Sequence, residues 1–339
     1  MTEITNWTEL LEQLSKETRP IFSKLSNKIN QTIRPYQKSN ESFDHNVVLK
    51  NHQDIFNNFK LLYEQLLIET DAREILTEIP ALDNSCSVIF NITNVGKWIK
   101  FHFGNSNRIF FFDEEKTMIS DKALADFLNK VDAVRPNYLY FGRAPTIYYK
   151  FKTLPSDDII KYLESYDVIA IEFNEPTLPI DYPKYSGDKV LLDQSMVLIL
   201  CSNLSHGLSL SFYQDTDDKT MEIMVENKLR LDNFLENKTI IINQYVYDQT
   251  KYKINLLGGP TEKDRFKNLS QKMTIVPDTQ NPRFYFLKDL EIVSVSVAEQ
   301  ENAIFVTGNQ RLCNKLDKYY AEIKYEHFIG AQLAESKYE

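Results

Sequence analysis

From residue 189 onward, short apolar stretches alternate with segments of helical periodicity, and this alternation is the strongest constraint on the fold. Runs rich in branched apolar residues predict strands, and the longer segments between them predict helices. Because strands that alternate with helices form parallel sheets covered on both faces, we expect a three-layer α/β/α domain with a mainly parallel sheet. The predicted strands are 189–193, 208–214, 239–243, 273–278 and 303–308, and the predicted helices are 194–205, 219–236, 245–256, 261–272, 283–298 and 309–320.

The preceding part of the chain divides into two regions by pattern. Apolar residues at helical spacing predict an N-terminal helical hairpin within 1–80, with a break at Pro20 and a polar loop at 34–45. A small α/β domain is predicted over 85–175, and its first two strands are joined by a tight turn at 94–96. Its strands are predicted at 85–93, 97–104, 108–112, 138–142 and 168–174, and its helices at 120–131 and 156–165.

The stretch EPTLPIDYPKYSGD, 175–188, holds three prolines and has no periodicity, so we place a domain boundary there. The third predicted domain then covers 187–339. The whole chain is therefore predicted to be an α/β protein with an N-terminal helical hairpin, a small α/β domain and a C-terminal α/β/α domain.

Composition narrows the class of protein. Hydrophobic residues make up 42% of the 339 residues, which excludes wholesale disorder. The three cysteines, Cys86, Cys201 and Cys313, are far apart, a pattern typical of a reducing compartment. The opening residues do not form a signal peptide, and no apolar run is long enough to span a bilayer. We expect a cytoplasmic or nuclear protein that makes no membrane contact.

Polar side chains lie where the predicted parallel strands end. Ligands of such sheets bind at the carboxyl ends of the strands, so this edge is the first place to look for a site. Asp193 follows the first strand, with Ser195 beside it, and Asn309 follows the last. Asp248 falls one turn into the helix after the third predicted strand, and Glu291 lies on the long helix before the last strand.

Carboxylates that converge repel one another unless a cation neutralises them, and hard oxygen ligands suit Mg²⁺ or Mn²⁺. We therefore predict Asp193, Asp248 and Glu291 as metal ligands and catalytic residues, since a metal held this way can activate water against a phosphodiester. Ser195 and Asn309 are predicted to bind substrate. The alternative for each acid, a helix cap or a polar strand end, stays open.

Two further segments carry side chains with more than one interpretation. His206, in SNLSHG, is a candidate for a phosphate contact, but a histidine at a helix carboxyl end also satisfies backbone carbonyls. The strand KWIKFHF, 97–103, mixes bases and aromatic residues as single-strand binders do, although a half-buried strand explains the same alternation. The glycines of LGGP, 257–260, lack the context of a phosphate loop and are interpreted as a turn between helices.

Two stretches resemble PIN domains, a ribonuclease-like fold. LLDQSMVLIL, 191–200, is similar to the opening strand and helix of that fold, and EIVSVSVAEQENAIFVTGN, 291–309, is similar to a late segment of it. NVGKWIKFHFG, 94–104, and LLGGPTEKDRF, 256–266, extend the similarity to an uncharacterised eukaryotic protein family with a C-terminal PIN-like domain. The resemblance covers about 85–337 and implies a nuclease fold; the family has no settled activity.

The chain departs from that pattern at three positions. Asn309 stands where the family has an aspartate, Asn243 where it has a glutamate, and Gln332 where it has an arginine. Asn309 removes one negative charge from the implied metal site. The resemblance therefore allows both an active nuclease and a nuclease fold that has lost its chemistry.

Three functional hypotheses follow. The first is an Mg²⁺- or Mn²⁺-dependent nuclease acting on RNA or other single-stranded nucleic acid. The second is a catalytically inactive PIN-like binding module, and the third is a scaffold whose N-terminal helices recruit a protein partner. The net charge of −9 disfavours tight non-specific binding to long duplexes, which require a basic face.

Overall fold

A computed structural model of the chain describes residues 4–39, 45–81, 85–103, 110–112, 118–120, 122–181, 185–208 and 218–330. The chain forms two compact units, Met1–Asp181 and Tyr182–Glu339, here called unit 1 and unit 2. No helix in these ranges is long and apolar enough to cross a membrane. The three cysteines are free thiols, and two of them, Cys201 and Cys313, are buried.

Unit 1 combines three N-terminal helices with a five-stranded mixed sheet. The helices are α1 (Trp7–Lys16), α2 (Pro20–Ser39) and α3 (His45–Ile68). The sheet has the order β1-β2-β3-β6-β7, in which the first two pairings are antiparallel and the last two are parallel. Its strands are β1 (Glu74–Pro80), β2 (Ser87–Asn94), β3 (Lys97–Phe101), β6 (Thr146–Phe151) and β7 (Val168–Glu172), and the intervening elements are β4 (Phe110–Phe112), β5 (Met118–Ser120), α4 (Lys122–Val134) and α5 (Asp157–Glu164).

Each face of this sheet is covered by helices. On one face α1 to α3 pack their apolar stripe, which includes the fully buried Trp7 and Phe22, against Ile99 and Tyr148 of the sheet. On the other face α4 and α5 cover Trp98 and its neighbours. The residues predicted as a helical hairpin and as a small α/β domain thus lie in one compact unit, and the apolar stripe of the helices is used inside it.

A buried ionic cluster joins α3 to the sheet on the side of the first core. The carboxylate of Glu69 lies 2.7 Å from the Lys150 ammonium and 3.5 Å from that of Lys97, and all three side chains are at most 2% exposed. Lys97 also contacts Asp71 at 2.8 Å, and the backbone N–H of Thr177 donates to Glu69 at 3.1 Å. Burial by itself would raise the pKa of Glu69, but the hydrogen bonds and charge supplied by Lys150 and Thr177 hold that pKa below its ordinary value.

Unit 2 is built on five parallel strands in the order β10-β9-β8-β11-β12. The strands are β8 (Lys189–Leu192), β9 (Thr239–Asn243), β10 (Thr274–Val276), β11 (Ile304–Thr307) and β12 (Tyr325–His327). The helices are α6 (Gln194–Cys201), α7 (Asp218–Leu235), α8 (Gln244–Leu257), α9 (Pro260–Ser270), α10 (Asp289–Gln300) and α11 (Gln310–Tyr319).

The two faces of this sheet follow the alternation of side chains along the strands. Val190 and Leu192 face the core formed with α6 to α9, whereas Leu191, between them, faces the core formed with α10 and α11. Strands that are buried on both faces are continuous apolar runs, and the residues VLL (190–192) of β8 and III (240–242) of β9 fit this pattern. The predicted α/β fold with a mainly parallel C-terminal sheet is confirmed.

Several predicted boundaries differ from the structure. The strand predicted at 138–142 is wrong, because Phe141 and Gly142 have positive φ and form a turn in which Tyr140 pairs with Arg143; the strand lies at β6 instead. The loop predicted from residue 34 begins later, since α2 continues to Ser39. The strand predicted at 208–214 lies outside the described residues apart from its first position.

The buried cluster of unit 1 can be tested with one substitution. Replacing Glu69 with glutamine leaves two buried ammonium groups without their shared carboxylate, and we expect the free energy of unfolding to fall by about 3–5 kcal/mol. Both tryptophans of the chain, Trp7 and Trp98, are buried in unit 1, so urea denaturation followed by tryptophan fluorescence reports on this unit.

The matched control is Glu74→Gln, which breaks the exposed pair between Glu74 and Lys24. Because exposed pairs contribute little, we expect a loss of less than about 1 kcal/mol. Equal losses for the two variants would contradict a special role for the buried cluster.

Candidate functional site at the carboxyl edge of the parallel sheet

The carboxyl ends of β8, β9 and β11 bring polar residues to the same level of the unit 2 sheet. Leu191 is in register with both Ile241 and Phe305, so the residues two positions further, Asp193, Asn243 and Thr307, follow in register. Because side chains alternate between faces, these three lie on the face covered by α10 and α11. The backbone N–H of Asp193 donates to the carbonyl of Val306 at 3.0 Å, which extends the β8–β11 pairing to this level.

Asp193 is the most highly connected side chain of this edge. It is the N-cap of α6, and its Oδ1 accepts hydrogen bonds from the backbone N–H of Met196 at 3.0 Å and from the Ser195 hydroxyl. Its Oδ2 accepts from the hydroxyl of Thr307. Burial raises the pKa of Asp193, and the donated hydrogen bonds oppose this rise without cancelling it. Both carboxylate oxygens are thus bound by groups of the chain itself.

Gly308 permits the close approach that completes this network. Its backbone N–H donates to the Ser195 hydroxyl at 2.8 Å. A Cβ atom at position 308 would lie 2.7 Å from the same oxygen, nearer than two such atoms can come. The glycine in VTGN is therefore required by packing against Ser195, and Ser195 bridges the Asp193 carboxylate and the turn after β11.

Glu291 is held in a second group of contacts at the start of α10. Its carboxylate accepts from the ammonium of Lys315 at 2.8 Å and from the backbone N–H of Lys288 at 3.0 Å. Asn309, the N-cap of α11, donates to Glu291 over a long 3.5 Å. Burial by itself would raise the pKa of Glu291, but the contacts with Lys315 and Lys288 outweigh it and hold that pKa below its ordinary value.

The structure does not bring Asp248 into this arrangement. Asp248 lies on the exposed side of α8, where its carboxylate accepts from the Gln244 side chain at 2.9 Å. No hydrogen bond or ion pair in the described part of the chain joins Asp248 to Asp193 or Glu291. Within those same residues, no three His, Cys, Asp or Glu side chains are placed to hold one metal ion. The three-acid metal site that the sequence predicts stays a prediction.

His206 lies at the far end of α6 from Asp193. Its ring nitrogen is 3.2 Å from the carbonyl of Leu200, so it satisfies a helix-end carbonyl. Burial, followed by the positive charges of Arg265 and Lys228, lowers the pKa of His206 to about 4. The imidazole is therefore neutral near pH 7 and carries no charge with which to attract a phosphate.

The glycines of LGGP join α8 to α9. A Cβ atom at Gly258 would lie 2.7 Å from the carbonyl oxygen of Ile254, so the glycine is required by close packing at the helix end. Glu262 in the first turn of α9 is fully buried and accepts from the backbone N–H of Asn203 at 2.9 Å. The interpretation of this segment as a turn accounts for its contacts.

Sequence reasoning missed a second polar pair on the same edge. The amide nitrogen of Asn243 donates to Asp278 at 2.8 Å, and the backbone N–H of Tyr245 donates to the same oxygen at 3.0 Å. The pattern VPD, in which a strand ends in an acid as LLD does, was the available signal for Asp278. Lys315 was missed as well, because its pairing with Glu291 depends on how α10 and α11 pack.

Two exposed cations lie at this edge, and a third lies further along α8. Lys253 on α8 donates to the side chain of Gln194, the residue that follows Asp193. Arg311 is exposed in the first turn of α11, and Lys251 is exposed one turn from Asp248 with its ammonium 5.9 Å from the ring centre of Tyr247. The helices α6, α8 and α11 all begin at this edge, and helix N-termini attract anions.

Comparison with known proteins gives a family. The chain is 45% identical over 340 residues to "Uncharacterized protein R220" of Acanthamoeba polyphaga mimivirus, with all of both chains covered. The chain belongs to the same protein family as this viral protein. Residues 190–318 of the chain match the family described as "Protein of unknown function (DUF1308)". The matched range runs from β8 to near the end of α11.

One solved structure is similar at a low level. VapBC2 from Rickettsia felis, crystallised with a DNA fragment from its promoter, matches 41% of this chain and 98% of its own, with 15% identity and a TM-score of 0.26. A likeness this low adds nothing to the fold or function of the DUF1308 region. The contacts and charges of the carboxyl edge itself are the better guide to its function.

The role of Asp193 as a cap can be tested separately from any activity. Asp193→Ala removes the acceptor of the Met196 N–H, and we expect about 1 kcal/mol of lost protection in the first turn of α6. Asp193→Asn keeps an acceptor there and should lose less. Hydrogen–deuterium exchange of peptides covering 190–200 measures this difference, and equal exchange in the alanine variant and the wild type would contradict the cap.

The raised pKa of Asp193 gives this protection a pH dependence. A carboxyl group whose pKa is raised on folding favours the native state at low pH, and that contribution is lost as the pH rises through the native pKa. We expect α6 to lose protection in the wild type above the ordinary aspartate pKa, after correction for intrinsic exchange. Asp193→Asn, which does not titrate, should not show the change. A variant that follows the wild type would assign the effect to another group.

Proposed function

We propose that the carboxyl edge of unit 2 binds single-stranded nucleic acid, with RNA as the first candidate, and does not cleave it. The proposal rests on the fact that groups of the chain already bind both acids of the edge. Asp193 accepts hydrogen bonds from Ser195, Thr307 and the first turn of α6, and Glu291 forms an ion pair with Lys315. Carboxylates held this way are supports for the edge, which leaves the neighbouring exposed cations as the charged groups that face solvent.

Charge distribution supports a short, local contact. The whole chain is acidic, with a net charge of −9, so it does not attract long polyanions generally. Lys253, which contacts Gln194, and Arg311 supply local positive charge beside the N-termini of α6 and α11, and Lys251 lies further along α8. A few nucleotides of flexible strand can use such a site through their phosphates, whereas a stiff duplex requires a longer basic surface.

A second candidate function is an Mg²⁺- or Mn²⁺-dependent nuclease, and one observation favours it. The hydroxyl of Thr307 donates to Asp193 and accepts from the backbone N–H of Asn309 at 3.1 Å, and Asn309 in turn reaches Glu291. The two acids are therefore neighbours across the turn after β11. Against this candidate, Asp248 lies apart from them and both acids are already engaged, so a metal ion would have to displace their present partners.

Three expectations from the sequence stay predictions: membership of a eukaryotic PIN-like family, a cytoplasmic or nuclear location, and recruitment of a protein partner by the N-terminal helices. The helices have fewer apolar residues to offer a partner than the sequence alone implies, because their apolar stripe packs inside unit 1.

Binding and cleavage of a fluorescently labelled single-stranded RNA separate the two candidates. We expect binding in the presence of chelator, measured by anisotropy, and no Mn²⁺-dependent products on a denaturing gel. Lys253→Ala combined with Arg311→Ala should weaken binding and reduce the slope of log affinity against log salt by about 1.4, which corresponds to two lost phosphate contacts on a single strand.

The matched control is Lys272→Ala combined with Lys324→Ala. These two exposed lysines lie two residues before β10 and one residue before β12, so they lie at the opposite, amino edge of the same sheet. The control removes the same charge and should leave binding unchanged. Mn²⁺-dependent cleavage that disappears in Asp193→Asn would establish the second candidate, and absence of RNA binding in the wild type would overturn the first.

A further inference from the structure

Three lysines of the unit 1 sheet differ in how their charges are balanced. Lys97 and Lys150 project to the face covered by α1 to α3, where Glu69 pairs with both. Lys100 projects to the opposite face, and its ammonium donates to the carbonyl of Ile89 at 2.9 Å. No carboxylate in the described part of the chain forms an ion pair with Lys100. It is therefore a half-buried cation bound by a backbone carbonyl.

The ammonium of Lys100 borders a cavity of about 540 Å³ between α4 and the strands β2, β3 and β6. A volume of this size is typical of pockets for small ligands. Val88 and Leu124 provide apolar walls, while Lys100 and His102, alternate residues of the KWIKFHF segment, line the β3 side. Lys100 and His102 of this segment therefore line the cavity, whereas Lys97 belongs to the buried ionic cluster on the other face of the sheet.

The cavity combines positive charge with aromatic surface. Lys130, exposed on α4, adds a second ammonium, and Asp126, one turn earlier on the same helix, adds one carboxylate. Two ammonium groups against one carboxylate leave the lysines and the aspartate of the lining with one net positive charge. The rings of Phe127 and Tyr149 also line the cavity and stack with centroids 5.4 Å apart, and the Lys100 ammonium lies 5.6 Å from the centre of the Phe127 ring.

From this arrangement we propose that the cavity of unit 1 binds a small anion that carries a planar ring, in the size class of a nucleoside monophosphate. The anionic group takes the position beside Lys100 and Lys130, because an ammonium with a single carbonyl partner has donors to spare for a phosphate. The ring lies against the apolar wall and Phe127, and Asp126 accepts from a polar hydrogen of the ligand.

Two points support the role of Lys100. It lies on the same face of β3 as the buried Trp98, where an apolar residue would otherwise be expected. Burial also lowers the pKa of Lys100, so its charged form lacks solvation that a bound anion can replace. The site lies in unit 1 and uses none of the residues of the proposed nucleic-acid edge, so the two proposals stand or fall separately.

The test is calorimetric titration of the full chain with adenosine monophosphate, inorganic phosphate, benzoate and adenosine. Adenosine monophosphate should bind saturably at one site, with adenosine and inorganic phosphate each weaker because each supplies half of the contacts. Benzoate separates a general carboxylate site from a phosphate site. Lys100→Met, which keeps most of the side-chain volume, should weaken adenosine monophosphate about tenfold or more, as expected for a lost hydrogen bond to a charged group.

Lys28→Met is the matched control, because Lys28 is exposed on α2 and does not line the cavity; it should leave the affinity unchanged. Lys130→Ala, on the surface of α4, keeps the test decisive if the Lys100 variant folds poorly, and should weaken binding about threefold or more. Failure of every anionic probe to bind the wild type would overturn the proposal, as would unchanged affinity in both pocket variants.

Discussion

The hydrogen bonds that converge on the Asp193 carboxylate hold together the carboxyl edge of the unit 2 sheet. One side chain caps α6, binds Ser195 and ties β8 to the end of β11 through Thr307. A carboxylate partly withdrawn from water is tolerated only when its oxygens are satisfied, and here the chain satisfies both. The position that the sequence predicts as a catalytic aspartate is therefore one that the local fold needs, and a substitution there tests structure as well as chemistry.

The two units treat buried charge in different ways. Unit 1 buries an ionic cluster in which Lys97 and Lys150 share the carboxylate of Glu69. Lys100 of the same unit lines a cavity and forms no ion pair with a carboxylate of the described residues. Unit 2 gathers its charge at a strand edge, where Glu291 is neutralised by Lys315. Because an unpaired buried charge is costly, a place where pairing is incomplete points to a ligand, and Lys100 combines the lack of an ion pair among the described residues with a position in a cavity lining.

The parts of the fold that follow from local pattern could be predicted, and the parts that follow from packing could not. Alternation of apolar runs and helices indicated the parallel sheet and placed Asp193 and Asn309 at its carboxyl edge. The direction in which Asp248 points from α8 could not be predicted from the pattern. Gln244 and Asp248 share an exposed side of α8, and only the packing of that helix defines this side. The pairing of Asn243 with Asp278 depends on β10 lying beside β9, which strand order along the chain does not specify.

We propose, as the central claim, that Asp193 acts as a structural hydrogen-bond acceptor and not as a ligand of a metal ion. The most direct measurement is an electron paramagnetic resonance titration of free Mn²⁺ with the wild type, Asp193→Asn and Glu291→Gln at equal concentrations of metal and protein. We expect the free Mn²⁺ signal to fall equally little with all three proteins. A loss of free signal with the wild type that is restored in both variants would show that the two acids share a metal ion, and would contradict the structural role of Asp193.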